Sequence, residues 1–122
     1  MVTKADMEKW STERRVTHVD TPLLPTDSDA RKRVPITTGV LDYFPDAIAA
    51  VAECSFAGNE KHNPGQPLHW AREKSADHAD CIGRHLLERG TIDPVTKVRH
   101  SAQLAWRALA LLQLEIEETC DD

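Results

Sequence analysis

The chain has no CxxC pair. Its three cysteines, Cys54, Cys81 and Cys120, are odd in number and widely spaced, which argues against a zinc ribbon or a dithiol redox motif. They read as thiols in a reducing compartment, with Cys54 and Cys81 serving as small apolar residues. There is no basic excess. Fifteen Lys and Arg against 20 Asp and Glu leave a formal net charge of −5, so no global positive field is available to hold a nucleic acid polymer. No apolar core follows the first residues M-V-T-K-A-D-M-E-K-W, which reads against a signal peptide. No apolar run reaches the roughly 18–20 residues that cross a bilayer, because Gln103, Arg107 and Gln113 interrupt the best candidate. Aromatics are few, at 5%. What is left is the composition of an ordinary soluble globular protein, 40% hydrophobic and 29% charged, with a cytoplasmic location and no membrane partner expected. The 122 residues make one domain that can bury one core with little to spare. Oligomerisation would add buried surface, and a homo-oligomer is expected.

The local patterns predict an all-α fold, a small bundle of three main helices at about 45–58, 75–89 and 98–119. Residues 1–33 read as an arm, extended or weakly helical, with a short helix around Asp6–Arg15. Pro22 and Pro25 bias their predecessors toward extended geometry. Arg31-Lys32-Arg33 is a solvated charge run or faces an anionic ligand. Residues 33–41 read as extended or loop. Pro45 suits the first turn of a helix and Asp46 complements its dipole. Ile48, Val51, Ala52, Ser55 and Phe56 then form one stripe, and Gly58-Asn59 is a plausible stop.

Residues 58–74 are too rich in Gly, Pro and Asn for continuous regular structure. Long loops in small domains are often functional. This one carries Lys61, His62, Asn63, His69 and Trp70. Such a mixture can stack on a base and hold a phosphate, or Leu68 and Trp70 simply pin the loop to the core.

Ser75 is a good N-cap with Asp77 in the first turn, and Gly90 closes that helix. At about 100° per residue, His78 and His85 fall on its apolar face, two turns apart. Asp80 and Arg84 lie opposite, as an i,i+4 ion pair. Asp93 before Pro94 favours a turn. The last helix is apolar on nearly all sides from Ala102 to Leu114 and is expected to be central. Yet it carries His100, Gln103 and Arg107 within roughly 60° of one another. Polar groups placed where burial is expected need partners. These two helices should set His78 and His85 against His100, Gln103 and Arg107. The acidic C-terminal end opposes the helix dipole and is expected to fray.

Four segments carry a resemblance: A-R-K-R-V-P-I-T-T-G-V-L-D-Y-F-P-D-A-I-A-A-V-A, G-N-E-K-H-N-P-G-Q-P-L-H-W, K-S-A-D-H-A-D-C-I-G-R-H-L-L-E-R-G and R-H-S-A-Q-L-A-W-R-A-L-A-L-L-Q-L-E. Together they cover roughly three quarters of the chain. The run resembles the phage and prophage proteins with a dATP/dGTP diphosphohydrolase N-terminal domain. The resemblance implies a small helical nucleotide-handling domain over residues 34–122, in a host-cell cytoplasm if phage-encoded. It also implies a purine nucleotide as partner and a divalent metal ion, with release of pyrophosphate from a deoxynucleoside triphosphate. Other helical pyrophosphohydrolases hold magnesium with paired E-x-x-E and E-x-x-D motifs. Here the inward positions are mainly histidines, and Glu115 and Glu118 sit at the acidic end. A carboxylate cage for Mg²⁺ is therefore not evident. A mixed set of His62, His85, Asp93 and His100 would suit Zn²⁺, Mn²⁺ or Fe²⁺ better.

Three functions follow. The first is metal-dependent hydrolysis of purine deoxynucleoside triphosphates, with Arg107, Arg84 or Lys61 neutralising phosphate and Trp70 on the base. The nucleotide-binding candidates are Lys61, Asn63, His69, Trp70, His78, Arg84, Gln103 and Arg107. The second is a binding protein without catalysis that sequesters a nucleotide or a nucleotide-derived signal, with His78, His85, Gln103, Arg107 and Trp70 binding base and phosphate directly. The third is a structural protein whose polar groups satisfy one another.

Overall fold

The structure is a computed structural model that describes residues 24–120. The helix expected around Asp6–Arg15, and the arm up to residue 23, lie outside the described residues. Four α-helices follow in order: α1 Ser28–Lys32, α2 Pro45–His62, α3 His78–Leu87 and α4 His100–Cys120. A π-helical turn, Thr37–Leu41, precedes α2, and a 3-10 turn, Arg72–Lys74, precedes α3. Among the described residues the only β pairing is a single antiparallel bridge between Ile92 and Arg99. The chain is all-α, and its three longer helices are those the sequence pattern predicts.

Several boundaries differ, each for a local reason. The Arg31-Lys32-Arg33 run ends a short helix. Asp27 caps α1 by accepting the Ala30 N–H at 3.0 Å, and Arg31 and Lys32 lie in its last turn, where cations oppose the negative dipole end. Residues 37–41 are helical rather than extended. The turn closes on Pro35, whose Cγ would stand 3.1 Å from a Cβ added at Gly39, so only glycine fits without displacement. Helix α2 runs four residues beyond the expected stop, to His62. Asn59 does not end it, because its side chain has partners in the following loop. Helix α3 starts at His78 with Asp77, not Ser75, as N-cap residue. The Ser75 hydroxyl donates instead to Asp77 Oδ1 at 2.9 Å. Arg84 pairs with Asp77 at 3.3 Å, in place of the expected Asp80. Gly90, at φ +86°, supplies the left-handed turn after α3 that residues with a Cβ rarely adopt.

Helices α2 and α3 both pack on α4 and make few contacts with each other. The pairs His85–His100 and His78–Arg107 run in opposite directions along α3 and α4, so these helices are antiparallel. The seam is narrow. Its buried apolar side chains are Cys81, Ala102 and Ala110, small residues that let backbones approach. Asn59, His78, His100 and Glu117 are buried beside them. Polar residues thus outnumber apolar ones in the fully buried set, and each must be satisfied at a cost if it is not. Helix α4 is central in its contacts, yet Leu109, Leu112 and Ile116 stay about half exposed. No helix among the described residues is long and apolar enough to cross a membrane.

Candidate functional site

The connection from α3 to α4 folds back tightly. The Asp93 N–H donates to Val98 O at 2.9 Å and the His100 N–H to Thr91 O at 3.1 Å. Lys97 takes φ +64° to make the turn. Asp93 performs the turn role its position before Pro94 suggests, with Oδ1 accepting the Val95 N–H at 2.8 Å. Its other oxygen accepts Gln103 Nε2 at 3.1 Å, which ties the turn to α4. Those bonds, the backbone one foremost, hold its carboxyl below the usual range.

This turn brings two histidines into contact. Nδ1 of His85 lies 3.0 Å from Nδ1 of His100, with ring centroids 5.3 Å apart. His100 is 6% exposed. Its other nitrogen, Nε2, lies 3.4 Å from Glu88 Oε2. Burial, and then the charge His100 would carry, push the His85 pKa down. The charge of Asp93 opposes this shift of His85 in part. Two turns along the same interface, Arg107 Nη1 donates to Ser75 Oγ at 2.7 Å and lies 3.2 Å from His78 Nδ1. A guanidinium only donates, so His78 accepts at Nδ1 and its neutral ring carries the proton on Nε2. That atom is buried without a partner. Burial, then Arg107, lower the His78 pKa and favour this neutral form. The Arg107 charge also reaches His85 and Cys54.

The preceding loop is fastened at two points. Asn59 Nδ2 donates to Gln66 O at 2.9 Å, while its Oδ1 accepts Asn63 Nδ2 and the His69 N–H, each at 3.2 Å. Farther on, Trp70 meets Trp106 edge to face at 5.7 Å, and Arg72 stacks 4.2 Å from the Trp70 ring. Arg72 also bonds Glu117, which is buried and accepts Gln113 Nε2 at 2.7 Å. The acidic end therefore holds a structural anchor where fraying is expected.

The juxtaposition expected across the last two helices is present: His85 on His100, His78 on Arg107, with Gln103 and Asp93 at the turn end. Lys61, His62 and Arg84 are exposed. No described group of three or more His, Cys, Asp or Glu side chains is placed to hold a metal ion together. The four expected ligands do not form one cage. Two nitrogens at about 2.0–2.1 Å from one tetrahedral ion stand about 3.3–3.4 Å apart, so the His85–His100 pair, at 3.0 Å, could supply two ligands after opening by a few tenths of an ångström. In the sequence pattern Asn59 and Ser75 had only helix-end roles, Glu117 belonged to a frayed end, and Glu88 had no role. For Glu88 the signal was its position three residues after His85, which puts both on one helical side.

No curated protein and no solved structure matches the chain. A family model does, over residues 25–122, and its description is dATP/dGTP diphosphohydrolase, N-terminal. With about four fifths of its length inside that match, the chain belongs to the dATP/dGTP diphosphohydrolase N-terminal domain family.

Proposed function

We propose that the α3–α4 face takes a purine deoxynucleoside triphosphate and supports its metal-dependent hydrolysis. The observation that carries this reading is the His85–His100 contact, two imidazole nitrogens 3.0 Å apart beside Asp93 in a family named for nucleotide hydrolysis. His85 and His100 would hold a divalent ion such as Mg²⁺, Mn²⁺ or Zn²⁺, with the Asp93 charge close by. Such an ion, when bound, polarises a phosphoryl oxygen and acidifies water. Arg107 supplies the cation for phosphate, and the lowered His85 pKa keeps its ring a lone-pair donor at neutral pH.

A binding protein without catalysis is the second reading. It is favoured by the absence of a three-ligand group among the described residues and by the half-buried His78–Arg107–Ser75 cluster, which suits an anion with no metal. Trp70, already covered by Arg72 and Trp106, is a weaker candidate for base stacking than its sequence position suggests. We also propose a homo-oligomer, supported by the exposed stripe Leu109, Leu112 and Ile116 of α4, spaced by three and four residues as in paired helices. Sedimentation at monomer mass would remove that part.

The deciding assay incubates the protein with each deoxynucleoside triphosphate and Mg²⁺, Mn²⁺ or Zn²⁺, following pyrophosphate and triphosphate. Turnover of dATP or dGTP, lost in His85→Ala and His100→Ala, is expected. Nucleotide binding should weaken about tenfold or more in Arg107→Ala, the scale of a lost charge-assisted contact. No turnover with any metal, together with nucleotide binding, would leave the second reading.

A further inference from the structure

We infer that Glu88 is a positioning residue: it fixes the tautomer of His100 and thereby presents the lone pair of His100 Nδ1 toward His85. The inference rests on the reading of this pair as the site. Glu88 caps the end of α3, and its carboxylate oxygen lies 3.4 Å from His100 Nε2. A carboxylate accepts and never donates, so a neutral His100 is favoured with its proton on Nε2, facing Glu88. Nδ1 then carries the lone pair. The 3.0 Å contact between the two Nδ1 atoms needs one proton between them, since two lone pairs repel. His85 therefore donates from Nδ1, and its own Nε2 is left with a lone pair. One exposed carboxylate thus assigns the protons of both rings in the metal-free protein.

The consequence for metal binding is direct. Ligating histidines are commonly held by a carboxylate on the far nitrogen, and loss of such a partner typically weakens metal binding by 10–100-fold. With His100 pre-set, only His85 must shift its proton from Nδ1 to Nε2 for both Nδ1 atoms to face one ion. Without Glu88, the proton between the two Nδ1 atoms could belong to His100 instead, and His100 would lose the carboxylate on its far nitrogen that orients a ligating ring. Glu88 is over half exposed, so its replacement leaves no hole in the core.

The test uses the full chain with ¹⁵N-labelled histidine. At about pH 8, above the ordinary imidazole pKa, long-range ¹H–¹⁵N spectra of the metal-free protein report which nitrogen of each ring carries the proton. The wild type should show His100 protonated on Nε2 and His85 on Nδ1. Glu88→Ala should move His100 to mixed tautomers and weaken Mn²⁺ or Zn²⁺ binding by about tenfold or more. Glu88→Gln, which keeps an acceptor oxygen, should restore the Nε2 tautomer. A wild-type His100 protonated on Nδ1, or an unchanged His100 spectrum in Glu88→Ala, would overturn the assignment. If the spectra behave as stated but no ion binds any variant, the metal reading fails while the tautomer role of Glu88 stands.

Discussion

Nη1 of Arg72 stands 2.7 and 2.5 Å from the two carboxylate oxygens of Glu117, joining residues 45 positions apart. One nitrogen serves both oxygens, so this is not the parallel two-nitrogen fork. Glu117 is nearly buried, with its side chain 8% exposed against 25% for Arg72. Breaking such a pair from the buried side removes Gln113's acceptor as well.

Glu117→Ala is therefore expected to cost about 2–3 kcal/mol, below the 3–5 kcal/mol of a fully buried pair because Arg72 still reaches water. Urea unfolding reads the loss directly. Glu118→Ala, on an exposed position of the same helix, should cost within about 0.5 kcal/mol. A Glu117→Ala midpoint equal to that of this control would show that the contact contributes nothing net.

Asn59 makes the second anchor. Its 6% exposed side chain holds the loop by three hydrogen bonds. Asn59→Ala leaves the Gln66 carbonyl and the His69 N–H without those partners. A loss of about 2–3 kcal/mol is expected, and Asn59→Asp should recover little because it cannot donate to Gln66 O. Amide hydrogen exchange should quicken at His69. Unchanged exchange there would mean that the loop is held mainly by Trp70 and Arg72.

Acid should destabilise the protein in two stages. The folded pKa values of His78 and His85 lie below 6.5, so once pH falls below about 6.5 the unfolded chain takes up protons that the folded chain resists. Stability then drops as pH falls. Asp77 acts lower. Hydrogen bonds from Ser75 and Arg84 hold its pKa at about 2 against 3.8, so its contribution is present above 3.8 and lost as pH falls toward 2. Urea midpoints measured across about pH 8 to 5 should decline, and His85→Gln should flatten that slope. A flat wild-type profile over this range would contradict the burial of both rings.

Helix type and approximate extent were legible in the sequence because they depend on local features. Pro45 with Asp46, the apolar stripe holding His78 and His85, and the mostly apolar run from Ala102 to Leu114 each announce a helix without distant partners. That His78 and His85 would face His100 and Arg107 was also legible, since each set lies on one side of its helix; the antiparallel packing decided that His85 meets His100 and His78 meets Arg107, and it turned Gln103 to Asp93 instead. What tertiary structure decided were the roles that need a partner far along the chain. Asn59 reads as a helix stop, yet a loop carbonyl and two loop N–H groups satisfy it and the helix continues. Glu117 reads as part of a frayed acidic end, yet Arg72 compensates its burial. His62 reads as a ligand of His85 and His100, but it stays exposed at the end of α2 and shares no contact with that pair. Sequence spacing fixes which side of a helix a residue occupies. Only packing decides what lies across from it, and so whether a buried polar group anchors a loop or offers a lone pair to a ligand.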